Sequence, residues 1–274
     1  MSIHNYIITL VLSFSFLSCN YKKKANSITK NSNTDLQIDH FNIWVKNPKT
    51  SKEKLVDIGF VSVPDSLSGI HDGQGTSGKY FYFLNGYLEL IFVYNQNEFE
   101  ANNLINKELD FKERANFYVN GASPFSIALK LKDYKSEKIP FEKISYHQNW
   151  MEKNMTIFSA KNSKTHLKEP SVFIVYPEIE SQVFESLTDL QNFPSEDDFW
   201  KDFFKHPNGA KKITNIIVSS TDLDLNTETM KSINRIENTT IKNGKEHLME
   251  LYFDNNIQGK SFDLRPDLPL IIYL

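Results

Sequence analysis

Residues 79–94 read KYFYFL, then Asn85-Gly86, then YLELIFVY, and no other stretch constrains the chain as tightly. Asn-Gly suits the left-handed backbone of a two-residue hairpin turn, and β-rich runs on both sides predict an antiparallel pair of strands. Leu84 should then oppose Tyr87, Phe83 oppose Leu88 and Tyr82 oppose Glu89. One face would carry Phe81, Phe83, Leu88, Leu90 and Phe92, all apolar, and the other Tyr80, Tyr82, Leu84, Tyr87, Glu89 and Ile91. Glu89 is the anomaly, because a carboxylate among such neighbours needs a cation, a metal or a proton.

The segment before the hairpin, GQGTSGKY at residues 73–80, spells two phosphate-loop patterns at once. Both patterns work only when backbone N–H groups at a helix start meet the phosphate. Here a β-rich run follows, and Tyr80 stands where a magnesium-binding Ser or Thr would be, so no nucleotide is expected. Gly73, Gly75 and Gly78 either shape a tight loop or let the backbone pass close to something. His71, at the loop entrance, reads as an acid/base group or as a cap on the turn.

Upstream, residues 38–45 (IDHFNIWV) alternate, with Phe41, Ile43 and Val45 on one face and His40, Asn42 and Trp44 on the other. Thr50-Ser51-Lys52-Glu53 makes a capping-box pattern and Gly59 a stop, predicting a helix over 51–58. A second strand is expected from Phe60 to Val63. His40 shares the non-helix side with Glu89. A His–Glu hydrogen bond, solvent-facing residues on a half-open sheet and a metal site all satisfy that periodicity.

The order strand, helix, strand, glycine loop, hairpin resembles the βαβββ module of the vicinal oxygen chelate superfamily, which includes glyoxalase I, extradiol dioxygenases, fosfomycin-resistance enzymes and bleomycin-binding proteins. Ile38-Asp39-His40, Ile58-Gly59-Phe60, the His71–Thr76 loop and Tyr87-Leu88-Glu89-Leu90 carry the resemblance. It implies an α+β fold of repeated βαβββ modules forming curved mixed β-sheets with flanking helices. It also implies a divalent ion of unknown identity held by His and Glu from paired modules, acting as a Lewis acid on a small oxygenated substrate.

Such modules come in pairs, and a second copy is sought near the C-terminus. Lys212–Val218 reads as a strand, a helix containing Met230, Ile233 and Ile236 follows, and residues 247–253 (HLMELYF) echo YLEL. This alignment sets Asn215 against His40 and Glu250 against Glu89. The metal set is then His40, Glu89 and Glu250, with Glu250 and His71 as proton-moving groups; Trp44, Tyr80, Tyr82, Tyr87 and Thr76 line the ligand site. Phe262–Arg265 and Leu268–Leu274 supply closing strands. The stretch between the copies, with strands at 125–131, 155–160 and 171–176, can itself be a module, beginning at Phe125-Ser126 where a ligand His would have stood. Helices are expected at 99–115 and, capped by Ser195, at 195–205. His147, His166 and His206 are read as ordinary surface or loop residues.

The N-terminus reads as an address. Residues 6–17 form an apolar run too short to span a bilayer, ending at the single cysteine. Leu17-Ser18-Cys19 resembles a bacterial lipobox, departing from it at Phe16 and in a leader without Lys or Arg. The expected organisation is a signal peptide with lipobox over 1–19 and lipid on Cys19, a flexible tether over 20–35, a first glyoxalase-like module plus bridging helix over 36–120, and further βαβββ-like units over 121–274. The chain would then be lipid-anchored in the bacterial envelope, facing the periplasm or exterior. A net charge of −3, from 31 basic and 34 acidic residues, carries no nucleic-acid footprint. Two functions remain: an exported metal-dependent lyase or isomerase, and a metal-free small-ligand-binding protein of the same fold.

Overall fold

The computed structural model describes residues 34–148 and 151–274, so Cys19, the signal and most of the tether lie outside the described residues. The first module follows the expected order. Strand β1 (Leu36–Trp44) leads to helix α1 (Pro48–Asp57), a two-residue strand β2 (Ile70–His71), and the hairpin of β3 (Thr76–Phe83) and β4 (Gly86–Val93). Helices α2 (Gln96–Ile105), α3 (Phe111–Ala115) and α4 (Phe117–Asn120) then bridge to β5 (Phe125–Leu131), β6 (Lys143–Tyr146), β7 (Ile157–Ala160) and β8 (Ser171–Ile174). After α5 (Leu187–Asn192) come β9 (Ile213–Ser220), α6 (Glu228–Ile233), β10 (Thr239–Asn243), β11 (Leu248–Phe253), β12 (Ser261–Asp263) and β13 (Leu270–Tyr273). Among the described residues no helix is long and apolar enough to cross a membrane.

The strands make two sheets, one of eight in the order β2-β3-β4-β1-β5-β8-β7-β6 and one of five in the order β10-β9-β11-β13-β12. In the larger sheet, β1 runs parallel to β4 and β5 runs parallel to β8, while β1 and β5 pair antiparallel at the centre. The two halves therefore repeat one order about a local two-fold. The second half is the middle region, with a 3-10 turn at Ser136–Lys138 where the first half has α1. The C-terminal segment is not a copy of the first module. There β9 lies parallel to β10, its neighbour across α6, and β11 pairs with β9 and β13.

The alternation seen in the sequence sets which face is buried. Phe41, Ile43, Phe81, Phe83, Leu88 and Leu90 share one core with Phe125, Ile127, Leu129, Val172 and Ile174 of the second half and with Met249, Leu251, Phe253 and Ile272 of the smaller sheet. Phe83 and Phe253 meet at 4.7 Å between ring centroids. The smaller sheet thus belongs to the core of the apolar face and leaves the other face of the larger sheet to form a site.

Several local expectations shift. The hairpin pairs Phe83 with Gly86, Tyr82 with Tyr87 and Tyr80 with Glu89, two residues from the expected register, so every side chain keeps its face. Asn85 is held by Ile213, donating to its carbonyl at 2.7 Å and accepting from its N–H at 2.9 Å, and Leu84 N–H donates to the Lys211 carbonyl. Those tertiary bonds move the turn to Leu84-Asn85. Helix α1 starts at Asn47 with Pro48 in its first turn, which puts the capping-box residues inside it. Phe60–Val63 is not a strand; Val63 N–H makes one bond to Tyr80 O. The expected bridging helix breaks into α2, α3 and α4, and the helix near 195–205 is a 3-10 turn over Phe199–Phe204.

Candidate functional site

A cavity of about 240 Å³ opens on the polar face of the eight-stranded sheet, with walls from both halves. Strand β1 contributes His40, Asn42 and Trp44 at period two, and β4 contributes Tyr87, Glu89 and Ile91 in the same way. The second half supplies Ser126, Ser159, Ser171 and Phe173. Asp110, Phe111 and Tyr146 also line it.

Parallel pairing sets Asn42 beside Glu89 and His40 beside Tyr87. Asn42 Nδ2 donates to Glu89 Oε2 at 2.7 Å. The remaining oxygens, Asn42 Oδ1 and Glu89 Oε1, are buried without a hydrogen-bond partner, although both residues are at most 5% exposed. Burial pushes the Glu89 carboxyl up to about 8, against a smaller opposing pull from the Tyr80 hydroxyl. Burial, with a lesser push from His40, takes His71 down to about 4. His71 Nε2 lies 3.5 Å from Glu89 Oε1, the spacing of a salt bridge. These shifts leave both groups neutral near pH 7, so the contact is a neutral approach and not an ion pair.

His71 is anchored at both nitrogens, through Nδ1 to Thr76 Oγ1 at 2.7 Å and through Nε2 to the Tyr80 hydroxyl at 2.9 Å. The glycine loop explains the fit. A Cβ on Gly78 would sit 2.3 Å from Glu89 Oε1, and one on Gly75, whose φ is +74°, would sit 2.2 Å from Phe99 N. Gly78 thus makes room for the carboxyl, and Gly75 lets the loop press on the start of α2.

His40 is held differently. Its Nδ1 donates to Asp39 Oδ1 at 2.6 Å, its ring stacks on Tyr87 at 4.1 Å, and burial lowers its pKa despite Asp39. Ser181 N–H and its hydroxyl fix Asp39 in turn. A further cluster ties the cavity wall to the chain around it: Ser171 Oγ donates to Asp110 Oδ1 at 3.1 Å, and Arg114 Nε donates to Asp110 Oδ2 at 2.7 Å.

The expected residues divide. His40, Trp44, His71, Tyr87 and Glu89 meet at the cavity. Tyr80 and Tyr82 line a neighbouring outer cleft with Trp200 and Phe204, and Tyr87 borders both spaces. Thr76 is fully buried behind the wall, where it holds His71. Glu250 does not join His40 and Glu89: it stands on β11 of the other sheet, bonded to the Tyr273 hydroxyl at 3.1 Å and to Lys242. The sequence echo failed because β5, not β9, pairs with β1. His206, expected at the surface, is 7% exposed and accepts from Val61 N–H while its Nε2 donates to Tyr82 O.

The side chains do not fit the divalent ion that the resemblance implied. Across the centre of the sheet Asn42 faces Ser126 and His40 faces Ala128, and the strands of the second half turn Ser126, Ser159, Ser171 and Phe173 to the cavity, so they offer no imidazole or carboxylate there. Among the described residues no group of three His, Cys, Asp or Glu side chains is placed to hold a metal.

Asn42 was legible in the sequence as the next residue on the His40 face. Ser159, Ser171, Asp110 and Tyr146 carry no spacing signal in the sequence, being hydroxyls and an isolated Asp; only the i, i+4 pair Asp110–Arg114 points to a helix-borne contact.

No protein-family model matches the chain, and no curated protein does. Among solved structures, a hypothetical protein from Staphylococcus aureus is similar at 15% identity over 86% of this chain and 98% of its own, with a TM-score of 0.49. Methylmalonyl-CoA epimerase from Mycobacterium tuberculosis is similar at 12% identity over 54% of this chain and 93% of its own, with a TM-score of 0.34. A methylmalonyl-CoA epimerase in complex with methylmalonyl-CoA and NH4+ is similar at 13% identity over 54% and 99%, with a TM-score of 0.35.

Proposed function

We propose that the chain binds a small oxygen-bearing molecule, without a metal, in the cavity between the halves of the eight-stranded sheet. The observation that carries this reading is the pair of buried oxygens, Asn42 Oδ1 and Glu89 Oε1, that make no hydrogen bond of good geometry, the second approached only by His71 and the Tyr80 hydroxyl. Leaving one such group unsatisfied costs about 1–3 kcal/mol, so two on adjacent strands of one cavity mark a place built for a partner. A protonated Glu89 can donate to a ligand carbonyl, while Trp44, Tyr87 and Phe173 supply aromatic wall. Thermal denaturation of the wild type and of Asn42→Leu/Glu89→Leu against a fragment library tests this. Compounds that stabilise only the wild type support it; compounds that stabilise both equally sink it.

A second reading, proton transfer of the isomerase or lyase kind, is favoured by the 3.5 Å approach of His71 to Glu89 and by a carboxyl titrating near neutrality. Glu89 would take or give the proton at its Oε1, with His71 and Tyr80 holding its orientation. Deuterium exchange at carbons next to the carbonyl of a bound compound, followed by NMR and abolished in Glu89→Gln, is the expected result. Export and lipid attachment at Cys19 rest on the sequence of the leader, and mass spectrometry of the mature N-terminus checks them: an unmodified thiol refutes the anchor.

A further inference from the structure

The charge of the ligand can be argued from what lines the cavity, and this inference rests on the cavity reading above. Among the described residues, no Lys or Arg lines the cavity, whereas two carboxyl groups, Glu89 and Asp110, do. The guanidinium that neutralises Asp110 is spent. Arg114 is fully buried, and beyond Asp110 it donates to the carbonyls of Ser123, Ser163, Leu167 and Glu169 at 2.7–3.0 Å. Lys130 does not line the cavity; it lies 3.8 Å from Asp39 and donates to Ser181 O. The two histidines of the wall are held neutral by burial, which supports the same conclusion.

An anion entering this space would lose its hydration and find no cation to replace it, facing a neutral Glu89 and an Asp110 whose counter-charge, Arg114, is already engaged. What the wall does offer is neutral hydrogen bonding, from the Asn42 amide and from the hydroxyls of Ser126, Ser159 and Ser171, set among aromatic rings. We propose that the cavity selects an uncharged ligand, a compact ring or chain bearing a carbonyl or hydroxyl oxygen, and excludes carboxylates and phosphates of the same shape.

Matched probes test it on the protein as it stands. Benzamide against benzoate, and salicylamide against salicylate, differ in charge at nearly constant shape, and ligand-observed NMR titration reads the affinity of each. The expected result is that each amide binds at least about tenfold tighter than its carboxylate. A carboxylate that binds as tightly as its amide, or tighter, overturns the charge assignment while leaving the cavity reading intact. If no probe binds, the cavity reading falls and the charge assignment with it. Ser159→Lys, checked for folding by its thermal midpoint, restores the missing cation and should shift the preference toward benzoate.

Discussion

The two halves of the eight-stranded sheet share one strand order and differ in chemistry. Where the first half carries His40, Tyr87 and Glu89 toward the cavity, the second carries Ser126, Ser171 and Phe173. They also differ in support: α1 belongs to the first half, while the second has only the 3-10 turn at Ser136–Lys138. Arg114 takes over there, bonding the carbonyl of Ser123 before β5 and those of Ser163, Leu167 and Glu169 between β7 and β8. Strand pairing needs only generic backbone bonds and an apolar inner face, so topology can repeat without the polar groups of the other face repeating with it.

That contrast can be broken most forcefully at Arg114. Arg114→Met leaves Asp110 buried without its cation and the four carbonyls without a donor, and it should lower stability in urea by about 3–5 kcal/mol. A change under about 1 kcal/mol, the range of an exposed pair, would show that the second half does not depend on it.

Next comes pH. Glu89 has a folded value of about 8 against an ordinary 4.5, so the folded state holds its proton more tightly. Its contribution is fully present below pH 4.5 and is lost progressively as pH rises toward 8, by up to a few kcal/mol. Glu89→Gln should therefore gain on the wild type across that window and then level off, as followed by urea midpoints at stepped pH. His71 and His206, both lowered to about 4 from 6.5, act in the opposite direction, and stability falls as pH drops from 6.5 to 4.

A smaller effect is expected at the glycine loop. Gly78→Ala forces a methyl against Glu89 Oε1 and the Tyr80 ring and should cost about 1–3 kcal/mol, with part of the loss recovered in Gly78→Ala/Glu89→Ala. Additive losses in that double variant would mean that the clash falls elsewhere. Smallest and most selective is the binding comparison. Glu89→Ala should weaken a cavity ligand by about tenfold or more, and Ser171→Ala in the second half by less than about threefold. Equal losses would make the two halves chemically equivalent.

Much of the first half was legible in the sequence because its signals are local. The alternation of residues 38–45 and of both hairpin arms assigned His40, Asn42, Trp44, Tyr87 and Glu89 to one face, and β1, β3 and β4 keep those assignments. The hairpin register was less secure. A shift of two residues preserves every face, so periodicity cannot detect it, and the choice was made by Ile213 gripping Asn85 and by the close approach of Gly86 to Asp39 O. Glu250 went astray for a related reason, since HLMEL echoes YLEL in letters while β11 lies in another sheet.

The sequence by itself determined β1, β3 and β4, their two faces, the helix of the first half and the anomalous position of a carboxyl at Glu89. These follow from side-chain period and from the conformational demands of Gly and Asn, which act over a few residues. Only the tertiary structure decided that β5 pairs with β1, that serines rather than a second His and Glu complete the cavity, and that the C-terminal strands join the core of the apolar face instead. A strand edge presents the same N–H and C=O groups whatever its side chains, so its partner is fixed by which apolar faces can be buried together, and that depends on the whole chain.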